Sequence, residues 1–346
     1  MTTDRDTSLP RWRDPAWRAE VDAWVADRLA GSGLRQTGEV DRERRYPWSA
    51  VWRIPTDGGP VWFKANAAGM AHEAPLYAVL VRRAPTHVLA PLALDPARGW
   101  LLLPDGGATL RDIEGARTDL GAWERMLQEY AEMQRNLEPY VDELLAAGVP
   151  DRGPEHLPRV RAALLDDPDL LLLGDEHGLT AEQRDELLGE QSAYAALCAE
   201  LAAYGIAPSL QHDDLHDHNV FVSPEPGGPL RVFDWGDAVV GQPFGVLLVS
   251  LRVVSDLIGA ANGSAELLRL RDAYLEPWTT DRDIADLREA ARLAVRVGGV
   301  SRADCYRRAT MEWPDRRRPF GEGVPGWLLE QRGPMPLEPM SARPRT

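Results

Sequence analysis

The chain has 346 residues, of which 44% are hydrophobic and 7% aromatic, so it can bury a sizeable core in one large two-lobed domain or two ordinary ones. Its formal net charge of −15 argues against nucleic acid and anionic membranes as partners, because the long-range field would repel phosphate. The same charge would suit a cationic small molecule, and it would also simply keep a cytosolic protein soluble.

Neither targeting segments nor disulfide bonds are expected. The N-terminal Met-Thr-Thr-Asp-Arg-Asp lacks a basic segment followed by an apolar one, so we expect no signal peptide. The most apolar window, residues 238–254, is interrupted by a glutamine, a proline and an arginine and cannot span a bilayer. The two cysteines, Cys198 and Cys305, each lie within a helical pattern, which fits a reducing cytoplasm.

The N-terminal third of the chain combines helical and strand patterns. Asp14 and Pro15 mark the start of an amphipathic helix. Alternating apolar residues then predict a hairpin, whose turn is Pro-Thr-Asp-Gly-Gly-Pro. The predicted elements are a helix over 14–30, strands over 50–54 and 61–65, a helix over 73–83, and strands over 88–94 and 100–103.

After Pro-Asp-Gly-Gly at 104–107 the chain is mostly helical. Helical patterns cover 110–147, 181–204, 244–259, 265–274 and 283–310, and a hairpin joins 219–222 to 230–233. Together the patterns predict an α+β, bilobal architecture with a small β-rich lobe and a larger, mostly helical lobe. The predicted divisions are a helical extension over 1–34, a small lobe over 35–105, a large lobe over 106–332 and a disordered tail over 333–346.

Residues 212–218 contain three histidines and three aspartates, which suggests metal ligands. His212 and His216 lie four residues apart, as two zinc ligands on one helical face would. However, no glutamate follows the first histidine, and an H-x-H-x-D-H pattern fails after His218, where valine and phenylalanine replace the ligands. A zinc-dependent hydrolase that uses this cluster is therefore an alternative interpretation.

The same stretch also matches the catalytic loop of a kinase. His212, Asp214, Leu215 and Asn219 follow the spacing H-x-D-L-x-x-x-N, and Asp213 replaces the usual arginine. In such a loop the aspartate reaches the substrate hydroxyl, and the asparagine turns back to a magnesium ion. Five residues span at most about 17 Å, so both side chains can enter one cleft if the loop is curved.

A second kinase-like sequence follows the predicted hairpin. Asp234 begins Asp-Trp-Gly, where kinases carry Asp-Phe-Gly and the aspartate binds metal. A carboxylate from Asp234 and an amide oxygen from Asn219 would suit magnesium, which is a hard cation.

Lys64 is the only lysine among the 39 Lys and Arg residues of the sequence. We therefore expect it at a place that needs a compact ammonium and not a planar guanidinium. Strand alternation puts Trp62 and Lys64 on one face. A lysine there would neutralise the α- and β-phosphates of a nucleotide and would be held by a carboxylate of the next helix, for which Glu73 is the candidate.

Together these motifs resemble the aminoglycoside phosphotransferase and choline kinase family, which are small-molecule relatives of protein kinases. The resemblance runs from the first strands to about residue 250 and rests on Phe63-Lys-Ala65, Glu73, Leu101-Leu-Leu-Pro-Asp105, the 212–219 loop and Phe233-Asp-Trp-Gly236. It implies a nucleotide-binding small lobe and a large lobe for catalysis and substrate binding, with ATP and Mg²⁺ as cofactors. The implied roles are Asp214 as catalytic base, Asn219 and Asp234 as magnesium ligands, Lys64 and Glu73 at the phosphates, and Leu103 and Asp105 near adenine, while His212 supports the loop.

Two departures from the family pattern bear on the substrate. No G-x-G-x-x-G sequence precedes Lys64, so Ser49 and neighbouring amides of Tyr46-Pro-Trp-Ser49 would have to cover the phosphates. Residues 241–246 read Gly-Gln-Pro-Phe-Gly-Val, without the two aspartates that aminoglycoside enzymes usually carry there. The sequence thus predicts transfer of phosphate from ATP to a hydroxyl of an aminoglycoside-like antibiotic, amino alcohol or sugar, without choosing among them. A non-catalytic ATP-binding regulator is a further alternative.

Overall fold

The chain folds into a sheet-bearing small lobe and a larger helical lobe. A computed structural model describes residues 8–313 and 320–338. The sheet consists of β1 (Arg42–Arg45), β2 (Ser49–Ile54), β3 (Val61–Asn66), β4 (Ala93–Asp95) and β5 (Trp100–Pro104). The strands are antiparallel and lie in the order β1–β2–β3–β5–β4. The α+β architecture predicted from the sequence is confirmed.

The fourth strand is shorter than predicted. We expected a strand over residues 88–94, but β4 begins at Ala93, and buried Val88 lies outside any strand. Pro91 explains the difference, because proline has no N–H with which to join the hydrogen-bond ladder.

The first helix, α1 (Pro15–Gly31), covers the outer face of the sheet. Its predicted cap is confirmed, because the Asp14 carboxylate accepts a hydrogen bond of 2.9 Å from the N–H of Ala16. The centroid of the Trp24 ring lies 5.9 Å from that of the Phe63 ring and 5.5 Å from that of the Trp100 ring. Residues 1–34 were predicted as an extension, and the helix that they contain is part of the small-lobe core.

The outer-face packing also directs Lys64 towards the large lobe. In β3, Phe63 and Ala65 are buried in the core that contains α1, so the alternate residue Lys64 points to the opposite face. The second helix, α2 (Glu73–Arg83), has buried side chains in the core shared with the large lobe, which places its first residue near that face.

In the part of the chain that the structure describes, ten further α-helices build the large lobe. They are α3 (Leu120–Leu137), α4 (Val141–Ala146), α5 (Leu157–Leu165), α6 (Ala181–Gly189), α7 (Gln191–Ala203), α8 (Leu247–Ile258), α9 (Ala265–Leu275), α10 (Ile284–Val297), α11 (Gly299–Ala309) and α12 (Gly323–Glu330). The long helical stretches predicted from periodicity are therefore divided. Pro139, for example, separates α3 from α4: it lies in the 3-10 turn Glu138–Tyr140, because proline has no N–H for the helical hydrogen-bond ladder and its ring collides with the preceding turn.

Short strands flank the loop 212–219. They are β6 (Asp151–Arg152), β7 (Ser209–Gln211), β8 (Val220–Phe221), β9 (Arg231–Val232) and β10 (Val239–Gly241). β10 pairs with β6 in parallel and with β7 in antiparallel fashion, while β8 and β9 form the predicted hairpin. The loop 212–219 thus runs from β7 to β8, and Asp234 follows β9 on the adjacent strand.

The C-terminal segment is packed at its start. Residues 333–346 were predicted to be disordered, but Met335 and Leu337 are buried in the main core, and Glu338 pairs with Arg296 of α10. The burial of these two apolar side chains corrects the prediction for residues 333–338, whereas residues 339–346 lie outside the described part of the chain. Among the described residues, no helix is both long and apolar enough to cross a membrane.

The two lobes meet tightly beside the cleft. The Arg308 guanidinium donates a hydrogen bond of 3.3 Å to the carbonyl of Gly69, and the N–H of Ala68 donates to Glu312 at 2.6 Å. A Cβ atom at Gly69 would collide with the backbone carbonyl of Arg308. The small lobe therefore rests on α11 at a point where only glycine fits.

We predict that Gly69→Ala lowers the free energy of unfolding by roughly 1–3 kcal/mol, because the backbones must separate. The matched control is Gly189→Ala at the end of α6, where a Cβ would meet no atom within 4 Å. Urea unfolding measures both, and a Gly69→Ala protein as stable as the control would show that the contact is not this close.

Candidate active site

The Lys64 ammonium forms ion pairs with two carboxylates. Its Nζ is 2.6 Å from Oε2 of Glu73 and 2.5 Å from Oδ1 of Asp234. Burial lowers the pKa of the ammonium, but the Asp234 and Glu73 carboxylates outweigh burial and raise it, so that Lys64 stays charged. The predicted pairing of Lys64 with Glu73 is present in the structure, and Asp234 joins it from the large lobe.

Glu73 also holds the Asp-Trp-Gly segment. Its Oε1 accepts a hydrogen bond of 3.0 Å from the backbone N–H of Trp235. Asp234 itself adopts a left-handed backbone with φ of 63°, which is costly for a residue with a Cβ atom and needs support from its surroundings. Glu73 is almost fully buried, whereas about half of the Asp234 side chain (53%) faces solvent. Asp234 is thus the carboxylate of this contact that a bound ion can reach.

Asp214 and Asn219 are joined within the catalytic-type loop. The Asn219 side-chain amide donates to the Asp214 carbonyl at 2.9 Å and to its carboxylate at 3.3 Å. The Asn219 carbonyl accepts a bond of 3.1 Å from the N–H of Phe233, which ties the loop to the residue before Asp234. Because the amide nitrogen of Asn219 is engaged, its oxygen is the atom left to face a cation.

His212 supports the loop, as expected. Its Nε2 bonds to the carbonyl of Phe233 at 2.8 Å, and its Nδ1 accepts from the N–H of Asp214 at 3.3 Å. The ring is fully buried, and burial lowers its pKa, so the neutral form with a proton on Nε2 fits both bonds. His212 therefore spans the two segments that carry Asp214 and Asp234.

The histidines of the 212–218 cluster do not point to one common position, as ligands of a zinc ion would. Both ring nitrogens of His212 are engaged, and those of His216 face Asp217 at 3.3 Å and Asp214 at 3.6 Å. Among the residues that the structure describes, no three His, Cys, Asp or Glu side chains are arranged to hold a metal ion. The structure thus gives no support to the hydrolase alternative.

Asp217 is a buried anchor for the end of the loop. Its carboxylate is inaccessible to solvent and accepts bonds from Arg111 at 2.9 Å and from Arg117 at 3.0 Å. Burial alone would raise the pKa of Asp217, but His216 and the two arginines hold it well below its usual range. The His216 ring lies between Asp217 and Asp214 and so connects this anchor to the candidate base.

Arg302 and Asp237 are site residues that the sequence reasoning missed. Arg302 of α11 reaches Asp214 Oδ1 at 3.3 Å and Asp237 Oδ2 at 2.8 Å. Burial raises the pKa of Asp237, but the Arg302 guanidinium outweighs burial and holds it at about 2. Nothing in local spacing indicates this contact, since 88 residues separate Arg302 from Asp214.

A cavity of about 180 Å³ lies between the lobes. Three of the four side chains predicted to converge, Lys64, Asp214 and Asp234, line this cavity, and Asn219 is bonded to one of them. Its remaining walls come from the two lobes and from α11: Trp48, Asn66, Met70, Gly236, Asp237, Arg302, Cys305, Tyr306 and Ala309. The structure therefore brings the predicted chemical groups into one cleft.

Ser49 is less available than predicted. It is buried at the start of β2, opposite Asn66, and its carbonyl accepts a bond of 2.8 Å from the N–H of Tyr46. The neighbouring Trp48 lines the cavity instead. The turn before β2 thus offers the cleft an indole ring, which the sequence pattern did not predict.

Leu103 and Asp105, which the resemblance places near adenine, lie at the end of β5 where the chain passes to the large lobe. Leu103 of β5 is opposite Trp62, and the Asp105 carboxylate accepts bonds from the Trp62 indole at 3.0 Å and from the N–H of Gly107 at 2.8 Å. The N–H of Asp105 donates to Pro60 at 3.2 Å. Asp105 therefore shapes the connector with both its side chain and its N–H, and contact of this segment with adenine stays a prediction.

His216 should make stability depend on pH. Burial lowers its pKa, but hydrogen bonds to Asp214 and Asp217 outweigh burial and raise it from 6.5 to about 9. A raised pKa contributes stability that is fully present below pH 6.5 and is lost as pH rises through about 9.

We predict that the free energy of unfolding, measured by urea in EDTA, falls more between pH 6.5 and 9 for the wild type than for His216→Gln. The control is His156→Gln, which should follow the wild type. Parallel pH curves for wild type and His216→Gln would contradict the bridging role of the ring.

One family model matches the chain, and several solved structures share its fold. The model of the phosphotransferase enzyme family, APH, matches residues 48–290. No curated protein matches the chain in a sequence comparison. Solved structures do match, with 11–14% sequence identity in the three cases that follow, and at such identities they show the fold alone.

Each of the three similar structures covers nearly the whole chain. A macrolide 2′-phosphotransferase type I has 14% identity and a TM-score of 0.56, over 91% of this chain and 97% of that one. An ethanolamine kinase of Plasmodium vivax has 11% identity and a TM-score of 0.59, over 92% and 89%. An amicoumacin kinase in complex with AMP-PNP, Ca²⁺ and Ami has 13% identity and a TM-score of 0.55, over 93% and 98%. The fold is thus that of protein-kinase-like small-molecule kinases, and because the family model spans well over half of the sequence, the chain belongs to the APH phosphotransferase enzyme family.

Proposed function

We propose that the protein transfers the γ-phosphate of ATP to a hydroxyl group of a small molecule, with Asp214 as the base. The observation that carries the proposal is the single cleft in which the Lys64–Glu73–Asp234 contact faces the bonded pair of Asp214 and Asn219. An ammonium for phosphates, oxygen ligands for a cation and a carboxylate for a hydroxyl are the parts that phosphoryl transfer needs.

The residues present fit a magnesium ion. Asp234 offers a half-exposed carboxylate, and Asn219 offers an amide oxygen whose nitrogen is already bonded to Asp214. Hard oxygen ligands of this kind suit Mg²⁺, which keeps several waters and takes its other ligands from phosphates. When bound, the ion would neutralise charge on the transferred phosphate. Asp234 and Asn219 are the residues that would hold it.

The nucleotide would lie along the connector between the lobes. Lys64, fixed by Glu73, would place its ammonium against the phosphates and replace part of the water that surrounds them. Phe221 and Phe233 stack at 4.1 Å beside the connector, and a Cβ at Gly106 would collide with the Phe221 ring. This aromatic pair would offer the adenine a flat apolar surface at the connector.

Asp214 would orient and deprotonate the acceptor hydroxyl. About a third of its side chain is exposed, and its two oxygens face Arg302, His216 and Asn219. Such neighbours fix the direction of the carboxylate, and holding a hydroxyl in line with the phosphate supplies most of the rate in this type of reaction.

The acceptor is a small hydroxyl compound. The similar structures are named for a macrolide, ethanolamine and amicoumacin, and these compounds do not belong to one chemical class. The net charge of −15 favours a cationic acceptor, such as an aminoglycoside-like antibiotic or an amino alcohol. Phosphorylation of such an antibiotic would confer resistance to it.

An acceptor screen tests the proposal. Purified protein with Mg²⁺ and ATP is incubated with macrolides, aminoglycosides, amino alcohols and sugars, and mass spectrometry detects the gain of one phosphate. We expect at least one acceptor to be phosphorylated. Tight ATP binding without transfer to any acceptor would favour the non-catalytic regulator instead.

Two substitutions separate catalysis from nucleotide binding. We predict that Asp214→Asn lowers kcat by at least about 100-fold, a typical effect of removing a general base, while ATP still binds. Asp234→Asn should weaken Mg²⁺-dependent ATP binding, measured by calorimetry with and without EDTA. The control is Asp256→Asn on α8. Full activity of either site variant would contradict the assigned roles.

A further inference from the structure

Helix α11 contacts the loop segment that carries the candidate base. Two consecutive residues of α11 bond to two consecutive residues of the loop: Ser301 donates to Asp213 at 2.6 Å, and Arg302 reaches Asp214 at 3.3 Å. These contacts join parts of the chain that are 88 residues apart. Every residue of α11 from Gly299 to Cys305 is buried, so the helix is a fixed support for the loop.

Arg302 is itself held in place before any substrate binds. Its guanidinium is 2.8 Å from Asp237 and lies 5.7 Å from the ring centroids of both Tyr306 and Trp327. Only 6% of its side chain is exposed. A planar guanidinium fixed in this way loses little further entropy when it contacts a second carboxylate.

Asp213 needs α11 as well. It is buried and adopts a left-handed backbone with φ of 64°, which a non-glycine residue holds only when its surroundings support it. Burial raises the pKa of its carboxyl group, and hydrogen bonds from Ser301 and Gln211, each of 2.6 Å, satisfy its two oxygens. The backbone conformation immediately before Asp214 therefore depends on the same helix.

We propose that Arg302 is a positioning residue for the transfer step: anchored by Asp237, it fixes the Asp214 carboxylate in the direction that aligns the acceptor hydroxyl. The inference rests on the proposed function, because it gives Arg302 a role in a reaction assigned there. Lys64 and Glu73 contact Asp234, whereas Arg302 contacts Asp214 and Asp237. Loss of Arg302 should thus impair transfer more than ATP binding.

A purely structural role for Arg302 makes a different prediction. If the arginine only neutralised Asp237, removing both charges together would restore the protein fully, since a buried ion pair can be replaced by neutral groups without loss of stability. If Arg302 positions Asp214, the double substitution restores stability but not turnover. Arg302→Met and Arg302→Met/Asp237→Asn therefore distinguish the two roles.

The experiment compares these variants with Arg302→Lys and with the control Arg307→Met. Arg307 follows on the same helix, pairs with Asp304 and is about one-third exposed. The measurements are kcat with the acceptor found by the screen, the Kd for Mg²⁺–ATP, and urea unfolding. We expect kcat to fall about 10- to 100-fold in Arg302→Met and in the double variant, the loss that a misplacement of about 1 Å produces, with Kd changed less than about 2-fold. Arg302→Lys should recover part of kcat, and Arg307→Met should match the wild type.

Each outcome decides the inference. The inference is overturned if the double variant recovers kcat together with stability. It is also overturned if a folded Arg302→Met protein has a normal kcat. Either result leaves the proposed function intact. If Arg302→Met does not fold, the double variant and Arg302→Lys carry the test. A wild type that phosphorylates no acceptor would overturn the proposed function first, and this inference with it.

Discussion

The contact of the Lys64 ammonium with Glu73 and Asp234 is the constraint on which the rest of the site depends. It joins three elements: β3, the start of α2 and the turn after β9. A buried ammonium is stable only if carboxylates compensate the loss of water, so the two lobes must close to the distance that this contact sets. Glu73 is buried and supports the structure, whereas the half-exposed Asp234 carboxylate is free to contact a bound ion. That difference between the two carboxylates is what the proposed role of Asp234 in metal binding rests on.

On the opposite side of the cleft, Asp214 is held from three directions. His212 and Asn219 both bond to Phe233, the residue before Asp234, so the proposed base and the proposed metal ligand share one support. His216 links it to the buried Asp217, and Arg302 holds it from α11. A carboxylate fixed in this way before substrate arrives needs little reorganisation during transfer, which is how positioning and electrostatics supply rate in phosphoryl transfer.

The local parts of this account could be predicted from the sequence. Alternation in β3 oriented Lys64, and the spacing of His212, Asp214 and Asn219 placed the loop, because short motifs impose their geometry on neighbouring residues. Contacts of residues outside these motifs could not be predicted: an arginine at 302 looks like any helical arginine until α11 is seen beside the loop. Prolines end elements that periodicity extended: Pro91 precedes the shortened β4, and Pro139 lies between α3 and α4. The packed start of the C-terminal segment was missed because its composition alone suggested disorder.

The central claim is the proposed one, that the Lys64 ammonium faces the nucleotide phosphates when magnesium nucleotide binds. Since the sequence contains a single lysine, labelling with [¹³C,¹⁵N]lysine gives one Nζ resonance, which reports on Lys64 alone. We predict that Mg²⁺ with AMP-PNP shifts this Nζ resonance in a saturable way and that Asp234→Asn changes its position without ligand. A resonance that stays unchanged while Mg²⁺–AMP-PNP binds, as measured by calorimetry, would contradict the account.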